Sequence, residues 1–227
     1  MTDKLLDAIQ IETGKNPHAS VVWMHGLGAD GNDFVPIVHE LDLQGTPDIR
    51  FVFPHAPARP VSINNGYVMR AWYDVKWGDL EGRSKQADES GVRASQQQIA
   101  QLVERECARG IAAERIVLAG FSQGGAMALQ TGLRFPRKLA GIMALSCYLP
   151  LAESFAGEAR SENRQTPIFM AHGVQDGVIA LEMATLSRDI LRQHGYDVEW
   201  HDYPMEHSVC LEEIADIGAW LRRVLTP

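Results

Sequence analysis

Short apolar runs rich in Val and Ile alternate along this chain with longer segments in which apolar residues recur at helical spacing. A run of about four to eight apolar residues suits a strand buried on both faces, and an apolar residue every third or fourth position suits a helix with one buried side. Strands are predicted at 6–12, 19–24, 49–53, 115–119, 139–146, 167–171 and 198–203. Most end in turn chemistry: HG at 25, PHAP at 54, GFSQGG at 120, YLP at 148 and HG at 172. Helices are predicted at 32–42, 88–109, 123–134, 181–194 and 210–224, the second opening at DESG and closing at Gly110, where cap residues belong. Strands alternating with crossover helices predict an α/β fold with a mostly parallel central sheet flanked by helices.

Residues 57–85 have neither period. They carry NNG, two tryptophans and a charged tail, and are too long for a plain connection. Together with 150–165 they are expected to form the rim or lid over a site. No repeat or linker divides the 227 residues, so one domain spanning 1–227 is expected. Apolar residues at 45% and charged residues at 22% argue against disorder. The net charge of −8, without any basic run, argues against nucleic acid as a partner. The start, MTDKLLDAIQIE, lacks the pattern of a secretory signal, and no window is apolar enough to span a bilayer, so a cytoplasmic protein without stable membrane insertion is expected. Cys107, Cys147 and Cys210 are odd in number and widely spaced, which suits reduced thiols better than a disulfide frame or a zinc site; no metal is expected.

Gly120-Phe121-Ser122-Gln123-Gly124 fits G-x-S-x-G on a predicted strand-turn-helix junction, the context in which that motif presents a nucleophile. The glycines let strand and helix approach closely, and the serine then projects above the carboxyl ends of the strands at a helix N-terminus. A serine hydroxyl is a poor nucleophile unless a base lies within hydrogen-bond reach and an acid orients that base. Asp176, in HGVQDGV after the strand TPIFMA, and His207, in YPMEHSV after DVEWHDY, fall at the same sheet edge and in the order Ser, acid, His. Glu206 is the one acid that rivals Asp176, although adjacent side chains on an extended loop point apart. His25 and His172 each precede a glycine at a strand end and read as turn-shaping residues.

A tetrahedral intermediate also needs donors aimed at its oxyanion. The Gln123 amide, directly after the serine, is one candidate. The second is the Leu27 amide in MHGLGADGNDF, where Gly26, Gly28 and Gly31 allow the backbone to bend inward. GLGADG also satisfies G-x-G-x-x-G, which keeps a dinucleotide site as a rival. Against it, the strand ending Phe51-Val-Phe-Pro-His55 lacks the acidic residue that such a site uses. Cys147 and Cys210 have no cationic neighbour in sequence and read as structural thiols.

HGLGADGNDF, PHAP, AWYD at 71–74, GFSQGGAMAL, AHGVQD and YPMEHSV, in this order, resemble the carboxylesterase and acyl-protein thioesterase family (the phospholipase/carboxylesterase group) of α/β-hydrolases, from about residue 5 to 225. The resemblance implies Ser122, Asp176 and His207 as a triad and the Leu27 and Gln123 amides as an oxyanion hole, in agreement with the spacing. It further implies a homodimeric serine esterase that needs no cofactor and acts on small to medium-chain carboxylic esters. Thioesters and lysophospholipids are the alternative substrates. Glu206 stands where the family often has glycine or another small residue. Acyl contacts are expected from the rim, at Met69, Trp72, Tyr73 and Leu149, with Trp77, Leu151 and Phe155 beside them; for Trp72 an anchoring role in the core fits equally well. A more distant alternative is a non-catalytic binding protein that keeps the hydrolase scaffold.

Overall fold

The computed structural model describes residues 5–79 and 88–226. All seven predicted strands form one sheet. They are β1 (Ala8–Glu12), β2 (Ala19–Met24), β3 (Ile49–Pro54), β6 (Ile116–Phe121), β7 (Gly141–Leu145), β8 (Ile168–Gly173) and β9 (Val198–Tyr203). Between β3 and β6 the chain adds a separate antiparallel hairpin, β4 (Ala58–Val61) with β5 (Tyr67–Arg70). The sheet order is β1-β3-β2-β6-β7-β8-β9, with β1 antiparallel to β3 and every other pair parallel. This is the expected mostly parallel α/β architecture.

Burial on both faces explains why the inner strands read as nearly continuous apolar runs, while the edge strands β1 and β9 are partly exposed and mixed in polarity. Val22 and Met24 of β2 turn to one face, Val21 and Trp23 to the other, and β6 divides its Ile116 and Leu118 from Val117 and Ala119 in the same way. The first face is covered by α2 (Glu89–Ala108), through Val92, Ile99, Leu102 and Val103, and by α3 (Gln123–Gly132). The second is covered by α1 (Ile37–Glu40) and α6 (Leu211–Leu225), through Ile217, Trp220 and Leu221. The side chain of Asp88 caps α2 by accepting from the Gly91 N–H at 2.9 Å, as DESG predicted.

The differences from the sequence expectation have local causes. The helix predicted at 32–42 shrinks to α1 because Asp30 Oδ1 accepts from both the backbone and the side-chain amide of Asn32, at 2.7 and 3.0 Å, holding a turn in place of a helical start. Residues 57–85 are not structureless as far as Asp79: they fold the β4–β5 hairpin around Asn65, which takes the left-handed conformation at φ 56°. The remainder of that stretch lies outside the described residues. Within 150–165 the chain forms α4 (Ala152–Glu158). Glu158 anchors it by accepting from Arg93 of α2 and from Arg134, both at 2.7 Å, and the Arg93 bond foremost holds its carboxyl down to about 2. The helix predicted at 181–194 is α5 (Leu181–Gln193).

Two features of this framework give testable consequences. A β-carbon on Gly120 would lie 2.3 Å from the Gly124 carbonyl, a backbone contact that cannot move aside. Gly120→Ala is expected to lower the unfolding free energy by about 3 kcal/mol, measured by urea titration. Glu213 of α6 is fully buried, and burial pushes its carboxyl up from 4.5 to about 8, with the Cys210 amide opposing. Its folded-state pKa is raised, so the native state holds the proton that the unfolded chain releases, and stability falls as pH climbs from 4.5 towards 8. Glu213→Gln should flatten that decline and exceed the wild type above pH 8 by a few kcal/mol, on the order of one per unit of pKa shift, in paired urea titrations at pH 5 and pH 8.5.

Candidate active site

Ser122 occupies the single residue between β6 and α3, and its backbone is held at φ 56° and ψ −122°. That region is costly for a residue with a β-carbon and persists only where its surroundings enforce it. Three contacts do so. The Ser122 N–H donates to Leu145 O at 2.8 Å, the Ala126 N–H donates to Ser122 O at 3.0 Å, and Gly120 and Gly124 meet with no room for side chains. A β-carbon on Gly124 would lie 2.2 Å from Met24 O, so α3 starts directly against the end of β2 as well. The strained turn that G-x-S-x-G predicts is present.

Asp176 and His207 arrive from neighbouring strands. The loop after β8 runs beside the loop after β9, fastened where Val174 N–H donates to Tyr203 O and Gln175 N–H to Met205 O, at 2.9 and 3.0 Å. Asp176 Oδ1 accepts from the amides of Val178 and Ile179 at 2.8 and 2.9 Å, which leaves Oδ2 for His207 Nδ1 at 2.7 Å. With Nδ1 donating to the carboxylate, His207 Nε2 is free to accept from Ser122 Oγ, 2.9 Å away. The Asp176 side chain is wholly buried and that of His207 is 16% exposed. The Phe121 ring lies 4.8 Å from the imidazole, centroid to centroid, and supports its orientation.

Glu206 is exposed on the solvent side of the same loop, and Asp176 is the carboxylate that reaches His207. His172 shapes the turn after β8, as its place before a glycine predicts, and does so from a buried position, its Nε2 bonding Ile179 O at 2.9 Å. The same nitrogen is 3.4 Å from Asp176 Oδ2, a second neighbour for the carboxylate that the sequence reading missed. Burial lowers the His172 pKa, with Ile179 O and Asp176 opposing.

The glycine-rich loop after β2 borders the serine. A β-carbon on Gly26 would lie 3.4 Å from Ser122 Cβ, and the Leu27 amide has no hydrogen-bond partner among the described residues. Gln123 is 4% exposed, and its backbone N–H stands first in α3, beside the serine. Farther along the loop the Gly31 N–H donates to His55 Nδ1 at 3.0 Å. A dinucleotide site also needs a helix opening directly at the glycines to hold the pyrophosphate, whereas α1 begins only at Ile37.

The expected acyl contacts divide. Trp72 is fully buried, and its Nε1–H donates to His25 O at 2.9 Å, so it anchors the loop in the core. Phe155 is likewise fully buried, against His194 and Tyr196. Tyr73 and Leu149 line a small cavity of about 130 Å3 with Asp74, Tyr148 and Leu151, where the Tyr73 and Tyr148 hydroxyls lie 2.9 Å apart. Met69 sits over the glycine-rich loop, its Sδ 3.6 Å from where a β-carbon on Gly28 would be. The side chain of Gln123, which the sequence reading used only for its backbone, accepts from Trp72 N–H and donates to Tyr73 O, both at 2.8 Å. Cys147 is buried with its thiol pushed upward by burial alone, which fits a structural thiol.

The sequence model of the family described as phospholipase/carboxylesterase matches residues 6–225. Among characterised relatives, the chain is similar to acyl-protein thioesterase 1 of Gibberella zeae, 41% identical over 215 residues that cover 92% of each chain. It is also similar to acyl-protein thioesterase 1 of Neurospora crassa, 43% identical over 209 residues that cover 89% of this chain and 85% of the relative. Among solved structures, Arabidopsis thaliana SOBER1 superposes with a TM-score of 0.84 at 31% identity, covering 91% of this chain and 99% of the other. Zea mays acyl-protein thioesterase 2 superposes with a TM-score of 0.79 at 28% identity, covering 96% and 100%. The strand order, the serine turn and these likenesses agree: the chain belongs to the phospholipase/carboxylesterase family and is a serine hydrolase of the α/β-hydrolase fold.

Proposed function

We propose that this hydrolase cleaves acyl thioesters carried on protein cysteines, through an acyl-enzyme formed on Ser122. The observation that carries the proposal is the continuous hydrogen-bond chain from Asp176 through His207 to Ser122, at 2.7 and 2.9 Å. In this reading Ser122 Oγ attacks the thioester carbonyl carbon while His207 Nε2 takes its proton, and Asp176 stabilises the imidazolium. The carbonyl oxygen gains the electron pair and is held by the Leu27 and Gln123 amides. Collapse of the intermediate breaks the C–S bond, and His207 returns the proton to the departing thiolate. Water then enters, gives a proton to His207, attacks the acyl-enzyme carbonyl and releases the acid, with the proton going back to Ser122.

The acyl-protein thioesterase relatives, at 41% and 43% identity, support this substrate class over the general carboxylesterase that the sequence reading put first. Short-ester hydrolysis remains the second reading, supported by the phospholipase/carboxylesterase description of the family model. We assign Met69, Tyr73 and Leu149 to the acyl side of the site. A reducing, cytoplasmic setting is part of the same proposal, supported by free thiols at Cys107, Cys147 and Cys210. No helix among the described residues is long and apolar enough to cross a membrane.

The test compares kcat/KM on an S-palmitoyl peptide with that on p-nitrophenyl esters from acetate to palmitate, for the wild type and Ser122→Ala. The wild type is expected to prefer the S-acyl peptide, and Ser122→Ala to lose at least about a thousandfold on every substrate. An acetate or butyrate optimum with no release of peptide thiol would move the assignment to a carboxylesterase. Equal rates for the two proteins would overturn both readings.

A further inference from the structure

PHAP and AWYD both reach the end of β2 at His25, whose ring has no role in the mechanism. His25 follows β2 directly and is 2% exposed. Its Nε2 lies 3.0 Å from the backbone nitrogen of Ala56, the third residue of PHAP, and its Nδ1 lies 2.7 Å from Gly26 O. The Ala56 nitrogen is an amide that can only donate, so Nε2 accepts and carries no proton. The ring proton is then on Nδ1, from which it is donated to Gly26 O. Trp72 of AWYD completes the surroundings: its indole donates to His25 O, and its ring centroid is 5.3 Å from the imidazole.

Gly26 O belongs to the same peptide unit as the Leu27 N–H. No cis peptide occurs among the described residues, and in a planar trans peptide C=O and N–H point in opposite directions. Whatever holds Gly26 O on one side fixes the Leu27 N–H on the other. Among the described residues the only backbone donor to this carbonyl is the Ala29 N–H, at a longer 3.3 Å, while the next amide, Gly28, is engaged elsewhere by Arg70 O at 2.9 Å. Glycine at position 26 has the fewest barriers to rotation of its flanking peptide, so this plane needs an external hold more than most.

We infer that His25 is a positioning residue for the proposed reaction: its neutral ring, locked as the Nδ1–H tautomer by the Ala56 amide, orients the Gly26–Leu27 peptide so that the Leu27 N–H meets the oxyanion. The inference rests on the Ser122 hydrolase reading and adds to it a residue that contacts neither substrate nor reacting atoms. Burial, the dominant influence, lowers the His25 pKa to about 4 against the opposing pull of Gly26 O and Asp30, with His55 and Arg70 lowering it further, so the neutral ring required here persists at neutral pH.

Two near-isosteric variants separate orientation from packing. In His25→Asn the side-chain NH2 falls near the Nδ1 position and keeps the donor to Gly26 O but loses the acceptor for Ala56. In His25→Gln the amide reaches the Nε2 position and keeps the Ala56 contact but loses the donor to Gly26 O. With p-nitrophenyl butyrate, His25→Asn is expected to keep kcat within about fivefold of the wild type. His25→Gln is expected to lose about 100-fold in kcat with KM nearly unchanged, the signature of a weakened oxyanion donor. Equal losses in the two variants, or no loss in either, would overturn the inference. The wild-type protein supplies a second measurement that does not depend on variant folding. In a two-bond 1H–15N spectrum of histidine-labelled protein at pH 7, His25 should show a protonated Nδ1 and an unprotonated Nε2. The reverse tautomer, or a charged ring, also overturns it. A wild type that is inactive, or as active as Ser122→Ala, would instead defeat the hydrolase reading itself, so the two failures are distinguishable.

Discussion

The constraint on which the site depends is the distance between β6 and α3. With Gly120 and Gly124 in backbone contact, the chain must reverse within one residue, and that residue is driven to φ 56°. The turn lifts the Ser122 hydroxyl out of the sheet at the carboxyl ends of the strands, where parallel α/β sheets gather their functional loops. The same closeness brings the first amide of α3 beside the end of β2, so the glycine-rich loop and the helix N-terminus face the serine from two sides. A slightly larger residue at either glycine would alter all of these relations together.

Around that turn, fixed backbone groups do most of the positioning. Asp176 is held by two amides on one oxygen, His207 by the carboxylate and the Phe121 ring, and the loops that carry them by hydrogen bonds to each other. His25 and His172 are both buried and bind backbone carbonyls, and burial lowers both pKa values, so their rings serve as uncharged polar struts in places where a charge would be costly. The groups proposed to carry charge during turnover are thereby surrounded by dipoles whose directions are set before substrate arrives.

The inner strands were legible because they are buried on both faces: runs such as Val21-Val22-Trp23-Met24 and Ile116-Val117-Leu118-Ala119 have no polar position to confuse with a helix. The serine turn and its partners were legible because strand-end loops of a parallel sheet fall on one edge, whatever their separation in sequence. Other parts left no comparable pattern. The β4–β5 hairpin is short, carries Pro60, and leaves Tyr67 and Val68 exposed, so neither alternation nor an apolar run marks it. An aromatic residue outside a clear apolar pattern reads the same whether it meets substrate or core, and Trp72 and Phe155 of α4 both meet the core. The roles of the Gln123 side chain and the His25 ring depend on backbone groups dozens of residues away, which no local spacing reveals.

The paired hydrogen bonds from the Gln123 side chain to Trp72 and Tyr73 have a mechanical consequence. They tie the rim segment to the same residue that supplies one of the proposed oxyanion amides, and the Trp72 indole ties it to the loop that supplies the other. The rim at this point therefore cannot swing as a hinged cover without carrying the amide pair with it. The rim segment, the serine turn and the glycine-rich loop are in this way joined by hydrogen bonds into one unit.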